Sequence, residues 1–169
     1  MTNPSAAWKS LLVLASVLAL SACASDVPVE TLKVGSRVQP VMLLDQNDVE
    51  HNLDTSVHFV FFAREMEGGK VIRALLDEVG EDYLTKHRIL YIADISGMPT
   101  LIANMIAIPK MRDERPYPTL LDRDGTATAA FPSEEGRVTV LALDRLKVTG
   151  IRYRGSVAGL EEAIAKGNR

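Results

Sequence analysis

The stretch Val57-His58-Phe59-Val60-Phe61-Phe62 decides the fold of this chain. It is almost continuously apolar, which is typical of a strand covered on both faces of a sheet. From Lys70 to Val79 apolar residues recur at helical spacing, and residues 89–93 form a second continuous apolar run. A strand, a helix and a strand in this order predict a right-handed parallel unit, so we expect an α/β fold.

Turn residues and apolar segments on either side of this unit extend the prediction. Asp45-Gln46-Asn47-Asp48 separates two short apolar segments and predicts a hairpin over 38–53. The further predicted elements are a helix over 98–106, a strand at 119–121, two strands over 138–143 and 148–153, and a last helix over 156–166. The predicted order is therefore hairpin, strand, helix, strand, helix, a short strand, hairpin and helix.

The amino-terminal region has the features of an export signal. Lys9 precedes an apolar stretch from Leu11 to Leu20, which is too short to span a bilayer, and small residues follow it. Cys23, the only cysteine of the chain, comes next. The sequence Leu-Ser-Ala-Cys that ends at Cys23 resembles the lipobox of bacterial lipoproteins, which implies cleavage before Cys23 and lipidation of that residue.

This resemblance divides the chain into a lipoprotein signal peptide at 1–22, a lipidated amino terminus and linker at 23–34, and a domain at 35–169. It implies an exported, periplasm-facing protein whose membrane contact is the lipid anchor at Cys23. Ala24, where aspartate would direct retention, implies the outer membrane of a Gram-negative cell by the same resemblance. Several acyl chains would anchor the protein durably, because each buried methylene contributes about 0.8 kcal/mol.

Composition limits the classes of function. With residues 1–22 removed, roughly 150 residues remain, which is the usual size of one domain. That part carries 18 basic and 22 acidic side chains without a strong charge run, so we expect no nucleic-acid partner. No cysteine follows Cys23. The domain therefore has no disulfide and no thiol for catalysis.

The order of the predicted elements resembles the thioredoxin-like superfamily, in particular its redoxin and peroxiredoxin-like branch. The most specific stretch is Phe61-Phe62-Ala63-Arg64-Glu65-Met66-Glu67-Gly68-Gly69-Lys70, which looks like the strand end and Cys-x-x-Cys helix start of that family. Met66 and Gly69 occupy the two cysteine positions, with Glu67 and Gly68 between them. The resemblance implies a three-layer fold with a central mixed sheet flanked by helices. Thiol oxidoreductase or peroxidase activity is not expected, because neither a thioether nor a glycine forms a thiolate.

A looser similarity concerns the cysteine-less periplasmic proteins of the YtfJ type. Tyr117-Pro118 before Leu121-Asp122 and the pair Glu134-Glu135 carry it. Tyr117-Pro118-Thr119 also resembles the segment where the superfamily has a cis proline beside its active cysteines. The resemblance implies a cis peptide bond at Pro118 and a binding groove between Met66 and Pro118; the alternatives are an ordinary proline turn and a groove without a ligand.

Two classes of function follow. The first is an envelope lipoprotein whose redox-inactive domain binds an unknown envelope protein or peptide, or serves as an accessory to a partner oxidoreductase, without a cofactor. The second is an enzyme that uses no thiol, or a metal-handling protein, since Met66, Met98, Met105 and Met111 offer thioethers that suit copper(I). Methionine at helical spacing among leucine and isoleucine is usually core, so we expect the last three in the core and no metal site.

Overall fold

A computed structural model describes residues 29–167 of the protein. Cys23 and the predicted signal peptide lie outside this range, so the lipoprotein assignment remains a prediction. Within residues 29–167, no helix is both long enough and apolar enough to cross a membrane.

The described residues form a two-stranded hairpin, a five-stranded mixed sheet and five α-helices. The strands are β1 (Val41–Leu44), β2 (Glu50–Leu53), β3 (Phe59–Ala63), β4 (Ile89–Asp94), β5 (Leu120–Asp122), β6 (Val138–Asp144) and β7 (Lys147–Arg154). The helices are α1 (Met66–Val79), α2 (Asp82–Lys86), α3 (Thr100–Ile102), α4 (Ile108–Glu114) and α5 (Val157–Gly167), with a π-helical turn at Ala103–Ala107.

The sheet confirms the parallel unit predicted from Val57–Phe62. Its strand order is β5-β4-β3-β6-β7, in which β3 pairs in parallel with β4 and antiparallel with β6. Phe59 lies opposite Ile89, and every residue of β3 is buried. The continuous apolar run is explained by this central position, since side chains on both faces of the strand are removed from water.

The two faces of the sheet are covered by different layers. Phe61 and Tyr91 point to one face, where the buried side chains of the helices pack. Phe62 and Ile92 point to the other, which is covered by the hairpin, the segment before it and the loop that carries Phe131. The ring of Phe131 stands edge-on to Phe62 at a centroid distance of 5.3 Å. One face of the sheet is therefore covered by helices, and the other by the hairpin and loops.

The second predicted helix is longer and less regular than expected. It continues past Pro109 to Glu114, with the π-helical turn between α3 and α4. Pro109 lies in the first turn of α4, directly after the π-helical turn, and as a proline it has no N–H to donate to the preceding turn. A π-helical turn is a local widening that lets a helix continue through such a position.

The turn after β5 is held by a buried carboxylate. Asp122 is 1% exposed and accepts hydrogen bonds from the amides of Gly125 at 2.9 Å and Thr128 at 2.8 Å, and from the Thr128 hydroxyl at 2.7 Å. These bonds order the start of the loop that leads to Phe131 and β6.

Candidate functional site

A candidate site is the cleft of about 660 Å³ at the carboxyl ends of β3 and β4, between the first turns of α1 and the side of α4. We call it the α1 cleft. Its larger apolar lining residues are Met66, Tyr91, Ile95, Met98, Ala107 and Met111. Its charged lining residues are Arg64, Glu65, Lys70, Arg73, Asp94, Lys110, Glu114 and Arg115. The carboxyl end of parallel strands is where α/β proteins commonly bind ligands.

The start of α1 places only some of the predicted positions in the cleft. Met66 is 69% exposed and lines it, and Gly69 lines it at the level of Tyr91. Glu67 is exposed and forms an ion pair with Lys70 at 3.4 Å. Gly68 is buried on the opposite side of the helix. The two positions that the sequence resemblance matched to cysteines, Met66 and Gly69, therefore present one exposed thioether and a residue without a side chain.

Gly68 is explained by a close backbone approach. A Cβ atom at this position would lie 2.9 Å from the carbonyl oxygen of Arg137, the residue before β6. The same segment is tied to the helix start by the Gly136 amide, which donates to Glu65 at 2.8 Å. The chain at 133–137 therefore lies directly against the first turn of α1.

This arrangement corrects the predicted groove. Tyr117 and Thr119 are buried and do not line the α1 cleft, and Pro118 is half-buried outside it. They lead into β5, which is an edge strand beside β4, whereas the segment beside α1 leads into β6. The acidic pair and glycine at 134–136 were the sequence signal for that segment, but sequence reasoning did not connect them with α1.

The expectation of a cis bond at Pro118 is also wrong, because no peptide bond within residues 29–167 is cis. The segment is held extended by Gln46, which is fully buried. Its amide nitrogen donates to the carbonyl of Tyr117 at 2.8 Å, and its oxygen accepts from the amide of Thr119 at 2.8 Å. One side chain thus satisfies the backbone on both sides of the proline.

Arg64 forms the rim of the cleft next to β3. Its Nε donates to Asp94 at 3.1 Å and its guanidinium lies 5.3 Å from the ring centroid of Phe62. It also donates to Ser133 and to the carbonyl of Thr128, so it joins two strand ends to the loop before β6. Arg64 therefore stabilises the packing of these segments, and its charge is paired with Asp94.

The remaining basic residues of the lining differ in their partners. Three of them pair with carboxylates: Lys70 with Glu67 at 3.4 Å, Arg73 with Glu114 at 3.0 Å, and Lys110 with Glu114 at 3.7 Å. Arg115 has no carboxylate within 4.0 Å in the part of the chain that the structure describes; its Nη1 donates to the Thr119 hydroxyl at 3.4 Å, and its side chain is also hydrogen-bonded to the Tyr91 hydroxyl. Arg115 is the one basic lining residue left without an anionic partner among residues 29–167.

Two buried phenols lie close to Arg115. Burial raises the pKa of Tyr91, and burial raises that of Tyr117 to about 12, while the nearby Arg115 charge opposes both shifts. Both hydroxyls are therefore neutral donors near pH 7. The Tyr117 hydroxyl is buried without a hydrogen-bond partner, and no other side-chain atom of residues 29–167 shares that state.

The methionines divide between the cleft and the surface. Met98 and Met111 are half-buried, pack against the core and line the α1 cleft with Met66. Met105 is 69% exposed, so its expected place in the core is wrong. Leu101, Ile102 and Ile106 are exposed beside it, because only one side of the segment from α3 to α4 packs on the sheet. No group of three His, Cys, Asp or Glu able to hold a metal ion occurs within residues 29–167.

Comparison with known proteins identifies the architecture. No protein-family model matches the chain, and no curated protein matches it. Among solved structures, the peroxidoxin BcpB from Mycobacterium tuberculosis is similar at a TM-score of 0.52 and 20% identity, over 81% of this chain and 97% of that one. A putative thiol:disulfide interchange protein DsbE from Chlorobium tepidum is similar at a TM-score of 0.56 and 11% identity, over 81% and 99% of the two chains.

A third solved structure extends the agreement to a protein described only as a putative electron transfer protein, from Aquifex aeolicus VF5. Its TM-score is 0.54 at 14% identity, over 81% of this chain and 99% of that one. Similarity at these identities concerns the fold and not the chemistry. Together with the mixed sheet and its helical layer, these neighbours show that the chain has the thioredoxin-like fold of the redoxins.

Proposed function

We propose that this protein is an envelope lipoprotein whose thioredoxin-like domain binds a segment of another envelope protein in the α1 cleft, without exchanging electrons with it. The observation that carries the proposal is a cleft of about 660 Å³ beside α1, with an exposed methionine where a reactive cysteine would be needed. A ligand-sized cleft with mostly apolar walls and a few polar groups is the usual form of a binding site.

The absence of thiol chemistry follows from the sequence. Cys23 is the only cysteine of the chain, and in the proposal its sulfur carries a lipid. Disulfide exchange and peroxide reduction by thiols both begin with attack by a thiolate. Met66 offers a thioether, which cannot perform that attack, so the cleft would recognise its partner by contact alone.

The walls of the cleft suit a peptide segment. Met66, Met98 and Met111 present flexible, polarisable side chains that adapt to different apolar surfaces. Tyr91 closes the floor, with its hydroxyl 3.3 Å from where a Cβ atom on Gly69 would be. Glycine at position 69 therefore lets the Tyr91 hydroxyl lie close to the first turn of α1.

In-cell photocrosslinking would test this proposal. A photoreactive amino acid replaces Met66 or Met111 in the full chain, and Thr85, which is exposed on α2 away from the cleft, is the control position. We expect a discrete protein adduct from positions 66 and 111 and none from position 85. The same adduct from all three positions, or none from the two cleft positions, would contradict the proposal.

The lipid anchor is tested separately. Cys23→Ser removes the proposed lipidation site while leaving residues 29–167 unchanged. We expect the wild-type chain to incorporate a labelled fatty acid and to fractionate with the outer membrane, and the variant to remain an uncleaved or soluble precursor. Ser21→Ala is the control within the same segment. Normal lipid labelling of Cys23→Ser would contradict the lipoprotein assignment.

A second candidate function is copper(I) handling, which is favoured by the three methionines that share the α1 cleft. Thioethers are soft ligands that prefer copper(I). The test is an anaerobic copper(I) titration in competition with a chromophoric chelator. Stoichiometric binding that is lost when Met66, Met98 and Met111 all become leucine would support it, with the exposed pair Met42→Leu and Met105→Leu as the control. No binding by the wild-type protein would exclude it.

A further inference from the structure

The charges of the α1 cleft differ from those of the whole chain. The formal net charge of the protein is −3, but the lining holds five basic and three acidic side chains. The acidic ones are engaged: Asp94 with Arg64, Glu114 with Arg73 and Glu65 with a backbone amide. Within residues 29–167 the basic ones are also paired with carboxylates, except Arg115, so the uncompensated positive charge of the lining lies at that residue.

Arg115 carries this uncompensated positive charge. It is half-buried, and within residues 29–167 it has no carboxylate partner. A partly desolvated guanidinium is stabilised by a carboxylate, which it can bind with two parallel hydrogen bonds. Arg115 is therefore suited to pair with a carboxylate supplied by the ligand.

A second observation lies at the same point. The Tyr117 hydroxyl is buried without a partner, and the positive charge of Arg115 acts on it. Unpaired buried polar atoms are uncommon in folded proteins, and each has a specific explanation where it occurs. Tyr117 does not line the cleft, so Arg115 is the group through which this buried polar surrounding reaches it, beside the methionines and Ile95 of the lining.

We propose that the α1 cleft selects acidic peptide segments, with an apolar side chain of the partner between the methionines and one of its carboxylates paired with Arg115. This inference rests on the proposed function, because it names the chemistry of the segment that the cleft binds. The apolar contact supplies affinity that tolerates sequence variation, and the carboxylate supplies the selection by charge.

Fluorescence anisotropy with three labelled dodecapeptides would test the inference on the full chain in detergent. Each peptide carries leucine at every third position, with glutamate, serine or lysine between. We expect the glutamate peptide to bind at least about tenfold more tightly than the serine peptide, the difference expected of one charge-assisted hydrogen-bonded pair. Raising the ionic strength from about 0.05 to about 0.5 M should reduce this preference.

Two substitutions of Arg115, with a control at Lys86, test whether Arg115 is responsible for the preference for the glutamate peptide. Arg115→Gln should reduce the preference for the glutamate peptide about tenfold while leaving the affinity for the serine peptide unchanged. Arg115→Lys keeps the charge and should retain part of the preference. Lys86→Gln removes an equal charge from the exposed surface of α2 and should change neither affinity. Circular dichroism melts verify that each variant is folded.

The outcomes separate the two proposals. Equal binding of the glutamate and serine peptides would overturn the acidic selection and leave a peptide-binding cleft intact. No binding of any peptide would overturn both proposals. A glutamate preference that survives in folded Arg115→Gln would overturn the assignment to Arg115.

Discussion

The side-chain amide of Gln46 lies 2.8 Å from the carbonyl oxygen of Tyr117 and 2.8 Å from the amide nitrogen of Thr119. Gln46 belongs to the turn between β1 and β2, and the two backbone groups flank Pro118 at the start of β5. The hairpin is therefore joined to the edge of the main sheet by a buried side chain that replaces two strand-to-strand hydrogen bonds.

Replacing Gln46 should destabilise the domain strongly. Gln46→Met keeps a side chain of similar length but leaves a buried carbonyl and a buried amide without partners, and each such group costs about 1–3 kcal/mol. We expect the free energy of unfolding to fall by about 3 kcal/mol in urea denaturation followed by circular dichroism. Asn47→Ala, at the exposed neighbouring position, is the control and should change it by less than about 0.5 kcal/mol. Equal stability of Gln46→Met and wild type would show that the amide contacts are dispensable.

Gly68→Ala should also destabilise, although alanine is favoured over glycine in a helix by about 1 kcal/mol. The new methyl group would lie 2.9 Å from the Arg137 carbonyl oxygen, which is backbone and cannot rotate away. Forcing such a contact typically costs about 1–3 kcal/mol. The midpoint of chemical unfolding measures the result, with Gly97→Ala as the control because nothing lies within 4 Å of its added Cβ. A rise in stability for Gly68→Ala would mean that α1 and the segment before β6 are less closely packed than described.

A substitution in the turn between β6 and β7 should stabilise the protein. Arg145 and Leu146 have φ values of 46° and 68°, a left-handed conformation that favours asparagine and glycine in two-residue hairpins. Leu146 is 2% exposed and packs in the core, whereas Arg145 is exposed. Arg145→Asn should therefore raise the free energy of unfolding by about 0.5–1 kcal/mol, since a left-handed L-residue costs about 1–2 kcal/mol.

Arg145→Ala is the matched control for this prediction. It removes the same side chain but keeps a residue that disfavours positive φ, so its stability should stay near that of wild type. A gain equal to that of Arg145→Asn would assign the effect to the lost charge and not to the backbone.

Stability should decrease in acid through Asp45. Burial alone would raise the pKa of Asp45, but hydrogen bonds from His51, Val49 and Asn47 lower it below its usual value. A carboxyl whose pKa is lowered by folding stabilises the protein above its unfolded pKa of about 3.9, and this contribution is lost as the pH falls through the folded value. We expect wild type to lose stability below about pH 4 more steeply than Asp45→Asn.

The measurement is the free energy of unfolding from pH 7 down to pH 3. Near neutrality Asp45→Asn should be less stable than wild type by about 1–3 kcal/mol, and the two curves should converge in acid. Asp113→Asn changes an exposed carboxyl at the end of α4 and should leave the wild-type curve unchanged. Parallel curves for wild type and Asp45→Asn would contradict a role for this carboxylate.

Much of the fold was predictable because its signals are local. The continuous apolar runs of β3 and β4 correctly predicted the parallel pair, and the apolar segments at 138–143 and 148–153 correctly predicted the last two strands. The course of the chain from Met98 to Glu114 was predicted less well. In the sequence, a proline such as Pro109 predicts that a helix ends nearby. In the structure, the π-helical turn before Pro109 allows the helix to continue to Glu114.

The sequence predicted one side of the candidate site, at the start of α1, but not the segments that lie next to it. Met66 and Gly69 were located at the cleft because they directly follow a buried strand and begin a helix. The prediction placed Tyr117 to Thr119 in the cleft beside α1, whereas they lead into the edge strand β5. A proline followed by an apolar strand has the same sequence pattern in both locations, so the sequence could not distinguish them. The segment at 133–137 was missed, since its contact with Glu65 and Gly68 joins residues far apart in sequence.

By itself, the sequence determined that the domain at 35–169 contains no cysteine and that a buried strand, a helix and a second buried strand form its centre, because composition and hydrophobic period depend on no distant contact. Only the tertiary structure decided which strand follows Pro118, which methionines line the cleft and which become exposed, and that Arg115 remains without a carboxylate. These features depend on the order of strands in the sheet and on which helix side packs against it, and both are set by long-range packing.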